Sequence, residues 1–110
     1  MRQVSFTITN WNIEELTGYK PKTTFYTDFS IADKFGTKAV KETFTRAFKE
    51  WKSDYIYLTE LVMVLNWKMF EHQNNKELYT VYYDLWCKAD EYAINNLTGD
   101  EEKYFYRTTD

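Results

Sequence analysis

The sequence predicts a mainly α domain: a compact bundle of three to four helices with a short N-terminal extended segment. Three observations carry this. Residues 55–70 contain twelve apolar or aromatic side chains out of sixteen, and the four polar ones, Thr59, Glu60, Asn66 and Lys68, gather on no common side. A helix apolar nearly all round must be covered on most sides, so this stretch is the expected centre of the bundle. Apolar residues in 38–70 and 75–97 recur in steps of three and four, the period of amphipathic helices. Glycine and proline number only three and one, too few for a turn-rich β fold.

Residues 3–9 alternate, with Val4, Phe6 and Ile8 on one face, and read as a strand. Its pairing partner is left open among residues 22–26, the stretch 103–108 and a second copy of the chain. Asn12 followed by Glu15 resembles a capping box for a short helix over 13–17, closed by Gly18 and barred from continuing by Pro21. Phe25, Phe29 and Ala32 fall at helical spacing, with Ile31 and Phe35 beside them, up to Gly36.

Thr37 can cap a helix over about 38–52, whose apolar stripe is Val40, Phe44, Ala47, Phe48 and Trp51. The stripe runs on in phase through Tyr55, Leu58, Val62, Leu65 and Met69. A single helix of that length is far above the usual dozen or so residues, and Ser53-Asp54 is a good initiator, so a break is expected there. Residues 73–75 read as a turn, with Asn74 and Glu77 as the next cap and acid. The last long helix should run over about 75–97. Leu78, Tyr82, Leu85, Ala89 and Tyr92 form one stripe; Tyr79, Tyr83, Trp86 and Leu97 form a second beside it. Both together span roughly 220° of the wheel, more than one core face needs. Gly99 stops the helix, and residues 100–110 form an aromatic tail. The 110 residues make one domain: an N-terminal extended segment and short helix (1–22), a helical core (23–99) and the tail (100–110).

Aromatic residues make up 20% of the chain, so the core is expected to be ring-rich, with Tyr and Trp left over for surface contacts. The single Cys87 allows no intramolecular disulfide. The first ten residues hold no apolar signal region, and 55–70 is too short and interrupted to span a membrane. A cytoplasmic protein that does not enter membranes is expected.

Four runs carry a resemblance: Thr-Thr-Phe-Tyr-Thr-Asp-Phe-Ser-Ile-Ala-Asp-Lys-Phe-Gly (23–36), Ala-Phe-Lys-Glu-Trp-Lys (47–52), Tyr-Leu-Thr-Glu-Leu-Val-Met-Val-Leu-Asn (57–66) and the ending Tyr-Phe-Tyr-Arg-Thr-Thr-Asp. They are similar to small, uncharacterised proteins carried by phages and integrated mobile elements of gut bacteria. The resemblance covers residues 23–110 and rests on packing motifs, so it transfers no functional residue. It implies an origin on a mobile genetic element within a bacterial cell. Proteins from that source include many inhibitors of bacterial defence systems, anti-CRISPR proteins among them.

Charge is uneven. Residues 38–52 carry +3, through Lys38, Lys41, Arg46, Lys49 and Lys52, whereas residues 71–110 carry −5. A basic strip of this kind is a candidate for phosphates, but a pI near 5.2 argues against general nucleic-acid binding.

No constellation for catalysis stands out. His72, the only histidine, sits at the end of the central helix, and Cys87 lies on the polar side of the last. Neither has a second residue of its type to build a zinc or di-iron site, so no metal and no cofactor is expected. Adjacent carboxylates such as Asp90-Glu91 point about 100° apart on a helix and share no substrate. Phosphate loops are absent. The expected function is non-enzymatic protein binding, and the mobile-element resemblance makes a host-directed inhibitor acting by steric occlusion its leading form. The candidate contact residues are Tyr79, Tyr83, Trp86, Tyr104 and Tyr106. A nucleotide-binding sponge and a self-associating phage structural protein, the latter a homodimer for instance, are the alternatives.

Overall fold

The computed structural model describes residues 20–109. These form five helices and, among the described residues, no strand: α1 (Phe25–Asp33), α2 (Thr37–Trp51), α3 (Tyr55–Glu71), α4 (Lys76–Asn96) and α5 (Asp100–Thr109). The helical bundle is therefore as expected, but with five helices rather than three to four. The strand at 3–9 and the short helix at 13–17 lie outside the described residues.

The central helix is α3, which touches all four of the others. Ten of its residues are buried, including Thr59, Glu60 and Lys68. Its apolarity is thus largely met within one chain, with Phe70 left exposed. The break before it has a local cause: Asp54 Oδ1 accepts the Ile56 and Tyr57 N–H groups at 3.0 and 3.3 Å, satisfying two amides at the helix start. The in-phase stripe from Val40 to Met69 is folded back at this corner, and Trp51 meets Tyr57 edge-on across it at 4.6 Å.

α1 buries Phe25, Tyr26, Phe29 and Ala32, whereas Ile31 and Phe35 face outward. Gly36, with φ of 106°, allows the chain to leave α1 and enter α2, a backbone angle that side-chain-bearing residues rarely adopt. α2 buries Val40 and Phe44; Phe44 stacks on Phe48, which meets Tyr92 of α4 edge-on at 5.2 Å.

The cap of α4 is Asn75, not Asn74: its side chain accepts the Leu78 N–H at 3.2 Å. The expected tail is a helix. Gly99 turns the chain with φ of 60°, and Asp100, Glu101 and Glu102 fill the first turn, where the helix dipole favours negative charge. Phe105 then plugs into the core, and Tyr104 packs edge-on against Tyr55 at 5.3 Å. No helix among the described residues is long and apolar enough to cross a membrane.

Candidate functional site

Two places in the fold concentrate chemistry. The first is a polar cluster where α1, α3 and α4 meet. α1 contributes Tyr26, Ser30 and Asp33 at steps of four and three, and α3 contributes Lys68, Glu71 and His72 from its last turn and C-cap. Lys68 is the centre and is fully buried. Its ammonium has three N–H donors and three acceptors: Asp33 Oδ2 at 2.7 Å, Ser30 Oγ at 3.0 Å and Glu71 Oε2 at 3.0 Å. It also lies 4.7 Å from the Tyr26 ring centroid and 5.9 Å from that of Tyr82.

The carboxylates are equally well partnered. Asp33 Oδ1 accepts the Tyr82 hydroxyl at 2.6 Å, and Asp33 Oδ2 meets His72 Nε2 at 2.8 Å. Glu71 Oε1 accepts the Tyr26 hydroxyl. His72 stacks on Tyr82 with the rings 3° from parallel. Burial pushes the Asp33 carboxyl up, but hydrogen bonds from His72, Lys68 and Tyr82 outweigh it and hold the group below its ordinary value. Burial, followed by the hydrogen bond each makes to a carboxylate, pushes the Tyr26 and Tyr82 phenols well above theirs.

Ligand-type atoms of Asp33, Glu71 and His72 all lie within 4.8 Å of one another. The sequence reading missed this set because its members come from two helices far apart in the chain. Lys68, however, already supplies the positive charge that the carboxylates require, and a divalent ion placed there would meet its ammonium at contact distance. The chemistry of the donor set is that of an ion network built around one buried ammonium.

A buried carboxylate, Glu60, holds the chain before α1. Glu60 accepts the Lys22 N–H at 2.8 Å, the Thr23 N–H at 3.0 Å and the Thr23 hydroxyl. It fastens the entry to α1 onto the middle of α3.

The second place is the outer face of α4. Its first predicted stripe is the core face, with Leu78, Tyr82, Leu85 and Ala89 buried. From the second stripe only Leu97 is buried; Tyr79 and Tyr83 are exposed and Trp86 is half-buried. The Tyr82-Tyr83 doublet divides accordingly, Tyr82 at 0% and Tyr83 at 46% exposure. At 100° per residue, Tyr79, Tyr83, Trp86, Asp90 and Ile94 fall within an arc of about 80°. The lower half of this face opens into a groove of about 500 Å³ between α3, α4 and α5, lined by Trp86, Asp90 and Ile94 on one side and by Tyr106 and Thr109 on the other. Burial raises the Asp90 carboxyl. The Tyr83 phenol is raised chiefly by the neighbouring Cys87 thiol, one turn on.

The candidate contact residues thus separate. Tyr79, Tyr83, Trp86 and Tyr106 border this face and groove, whereas Tyr104 is half-buried against Tyr55. Of the basic strip, Lys38, Lys41 and Arg46 share a shallow surface depression, Lys49 is exposed, and the Lys52 ammonium sits 5.6 Å from the Phe48 and Tyr92 ring centroids. Asp90 was missed as a site residue; its signal was a lone carboxylate in phase with an aromatic stripe.

No protein family, curated protein or solved structure matches the chain.

Proposed function

We propose that this chain is a small non-enzymatic binding protein whose partner is another protein, engaged through the outer face of α4 and the groove beside it. One observation carries the reading: Tyr79, Tyr83, Trp86 and Ile94 occupy a single arc of α4 beside the face that already fills the core, with Tyr79, Tyr83 and Ile94 exposed. Tyr and Trp on a continuous exposed strip are the residues that dominate protein–protein contact energies. The strip runs from Tyr79 to Ile94, about 22 Å at the rise of an α-helix, which is the length of a typical helix or strand laid beside it.

The resemblance to mobile-element proteins supports a host-directed role, with a bacterial defence system as target and steric occlusion as mechanism. Occlusion suits a molecule whose most connected polar cluster is internally compensated and whose contact side chains sit on a rigid helix. The nucleotide-sponge reading needs rings and phosphate-binding cations at one site. Arg46 does share a cavity with Phe35 and Trp51, but Asp28, Glu42 and Glu50 line it as well and oppose a phosphate there.

The test is native affinity capture from lysate of a gut bacterium carrying defence nucleases, with the wild type and a Tyr83→Ala, Trp86→Ala double variant of equal fold content. A stoichiometric host protein captured only by the wild type, and inhibited on addition of it, supports the reading. Capture indifferent to the double variant, or no partner under native conditions, overturns it.

A further inference from the structure

The groove beside α4 contains one feature that aromatic packing does not explain. Trp86, Asp90 and Ile94 follow one another at i, i+4 and i+8, so the carboxylate is flanked along the helix by an indole and an aliphatic side chain. Asp90 is half-buried there, and it makes no hydrogen bond or ion pair with any described residue; the ion pairs among the described residues are those of the Lys68 cluster, on another face of α3. Burying part of a carboxylate without a partner is unfavourable, and such a group is relieved by a cation brought to it. The surroundings reinforce the sign. Helices α4 and α5 together carry seven acidic and four basic side chains. Across the groove stand the Tyr106 ring and the Thr109 side chain.

We propose that the groove receives a basic side chain of the protein partner: a lysine or arginine whose charged head pairs with the Asp90 carboxylate while its alkyl stem lies against Trp86 and Ile94. This inference rests on the protein-binding reading of the same face and specifies what the partner must present. A polypeptide is the occupant that fits, because Trp86, which lines the groove, has its ring 6.3 Å from that of Tyr83 on the exposed strip, and a residue flanked by apolar neighbours uses both. Aromatic rings beside the carboxylate favour the cationic head further through their negative faces. Charge complementarity also sets the encounter: an acidic α4–α5 surface attracts a basic segment and repels an acidic one.

The experiment uses the full chain, isotopically labelled, titrated with two blocked tripeptides, Leu-Lys-Leu and Leu-norleucine-Leu, while the Trp86 indole N–H and Ile94 methyl resonances are followed. The lysine peptide is expected to shift both and to bind about 5-fold tighter than its norleucine twin. In Asp90→Asn the two peptides are expected to bind alike. Equal binding of the two peptides to the wild type, shifts confined to other residues, or an undiminished lysine preference in Asp90→Asn each overturn the proposal. The wild-type comparison decides the matter even if the variant is poorly folded. Tetramethylammonium serves as the small-cation arm: if it shifts the same resonances at lower concentration than the lysine peptide, the site belongs to a free ammonium ligand and the polypeptide assignment fails. Shifts of these resonances on raising the protein concentration alone would assign the groove to a second copy and likewise overturn it. A host protein captured through Tyr83 and Trp86 with no lysine preference would remove this inference and leave the protein-binding function standing.

Discussion

The Lys68 ammonium lies 2.7 Å from Asp33 Oδ2 inside the protein, and this pair joins the end of α3 to the end of α1. Its removal is therefore expected to be costly. Lys68→Met keeps most of the side-chain volume but leaves Asp33 and Glu71 partly buried without the ammonium they share. A loss of about 3–5 kcal/mol is expected, the usual consequence of deleting one member of a buried pair. Urea unfolding measures it; a loss under about 1 kcal/mol would show that the cluster is not a tie between the helices.

The same cluster sets the response to pH at both ends of the scale. The folded-state value of Asp33 is depressed, so its contribution is fully present above the ordinary aspartate value of about 3.9 and is lost as pH falls through the lower folded value. The phenols of Tyr26 and Tyr82 are raised instead. Their contribution is full below the ordinary tyrosine value of about 10 and disappears as pH rises beyond it. In a spectrophotometric titration, two of the ten tyrosines should stay protonated until the chain unfolds. Changing Tyr26 and Tyr82 to Phe should remove that late step; its persistence in the double variant would refute the assignment.

Glu60 provides a separate test of how α1 is held. Glu60→Ala leaves the Lys22 and Thr23 amides without that acceptor. The expected cost is about 2 kcal/mol. Hydrogen exchange should accelerate first in residues 22–29, ahead of α4. Uniform acceleration over the whole chain would mean that Glu60 supports the core rather than the α1 entry.

These relationships mark what could and could not be read before the fold was known. The corner at Ser53-Asp54 was legible because capping is local: the carboxylate and the amides that it accepts are within three residues. Coverage of α3 was legible from apolarity, but what covered it was not. Lys68 and Glu60 were visible as polar residues without a face of their own, and that was already a sign of buried partners. Their partners Asp33, Ser30, Lys22 and Thr23 come from a distant segment, and no periodicity connects them. Helix α5 reads as a tail in the sequence, since the consecutive Tyr104, Phe105 and Tyr106 show no helical spacing of apolar residues. The acid-rich first turn and Arg107 in the last were the helical signs that this obscured. The face of α4 was legible as surplus apolar arc, whereas the groove required α5 to be a helix.

Asp90 and Asp33 respond in opposite senses, and the contrast gives the last prediction. Asp33 is stabilised as a carboxylate by its partners; Asp90 is penalised by burial and has none among the described residues. A raised folded value means that the Asp90 contribution is present below the ordinary aspartate value and is lost as pH rises through the folded one. At neutral pH the charged group is thus a small liability, reduced by solvent because the side chain is only half-buried. Asp90→Asn removes the charge and keeps the shape, so Tm at pH 7 should rise by about 1–3 °C, and the gain should vanish in acid where the wild-type carboxyl is neutral. The reverse outcome, a lower Tm at pH 7, would mean that the carboxylate is stabilising in the free protein.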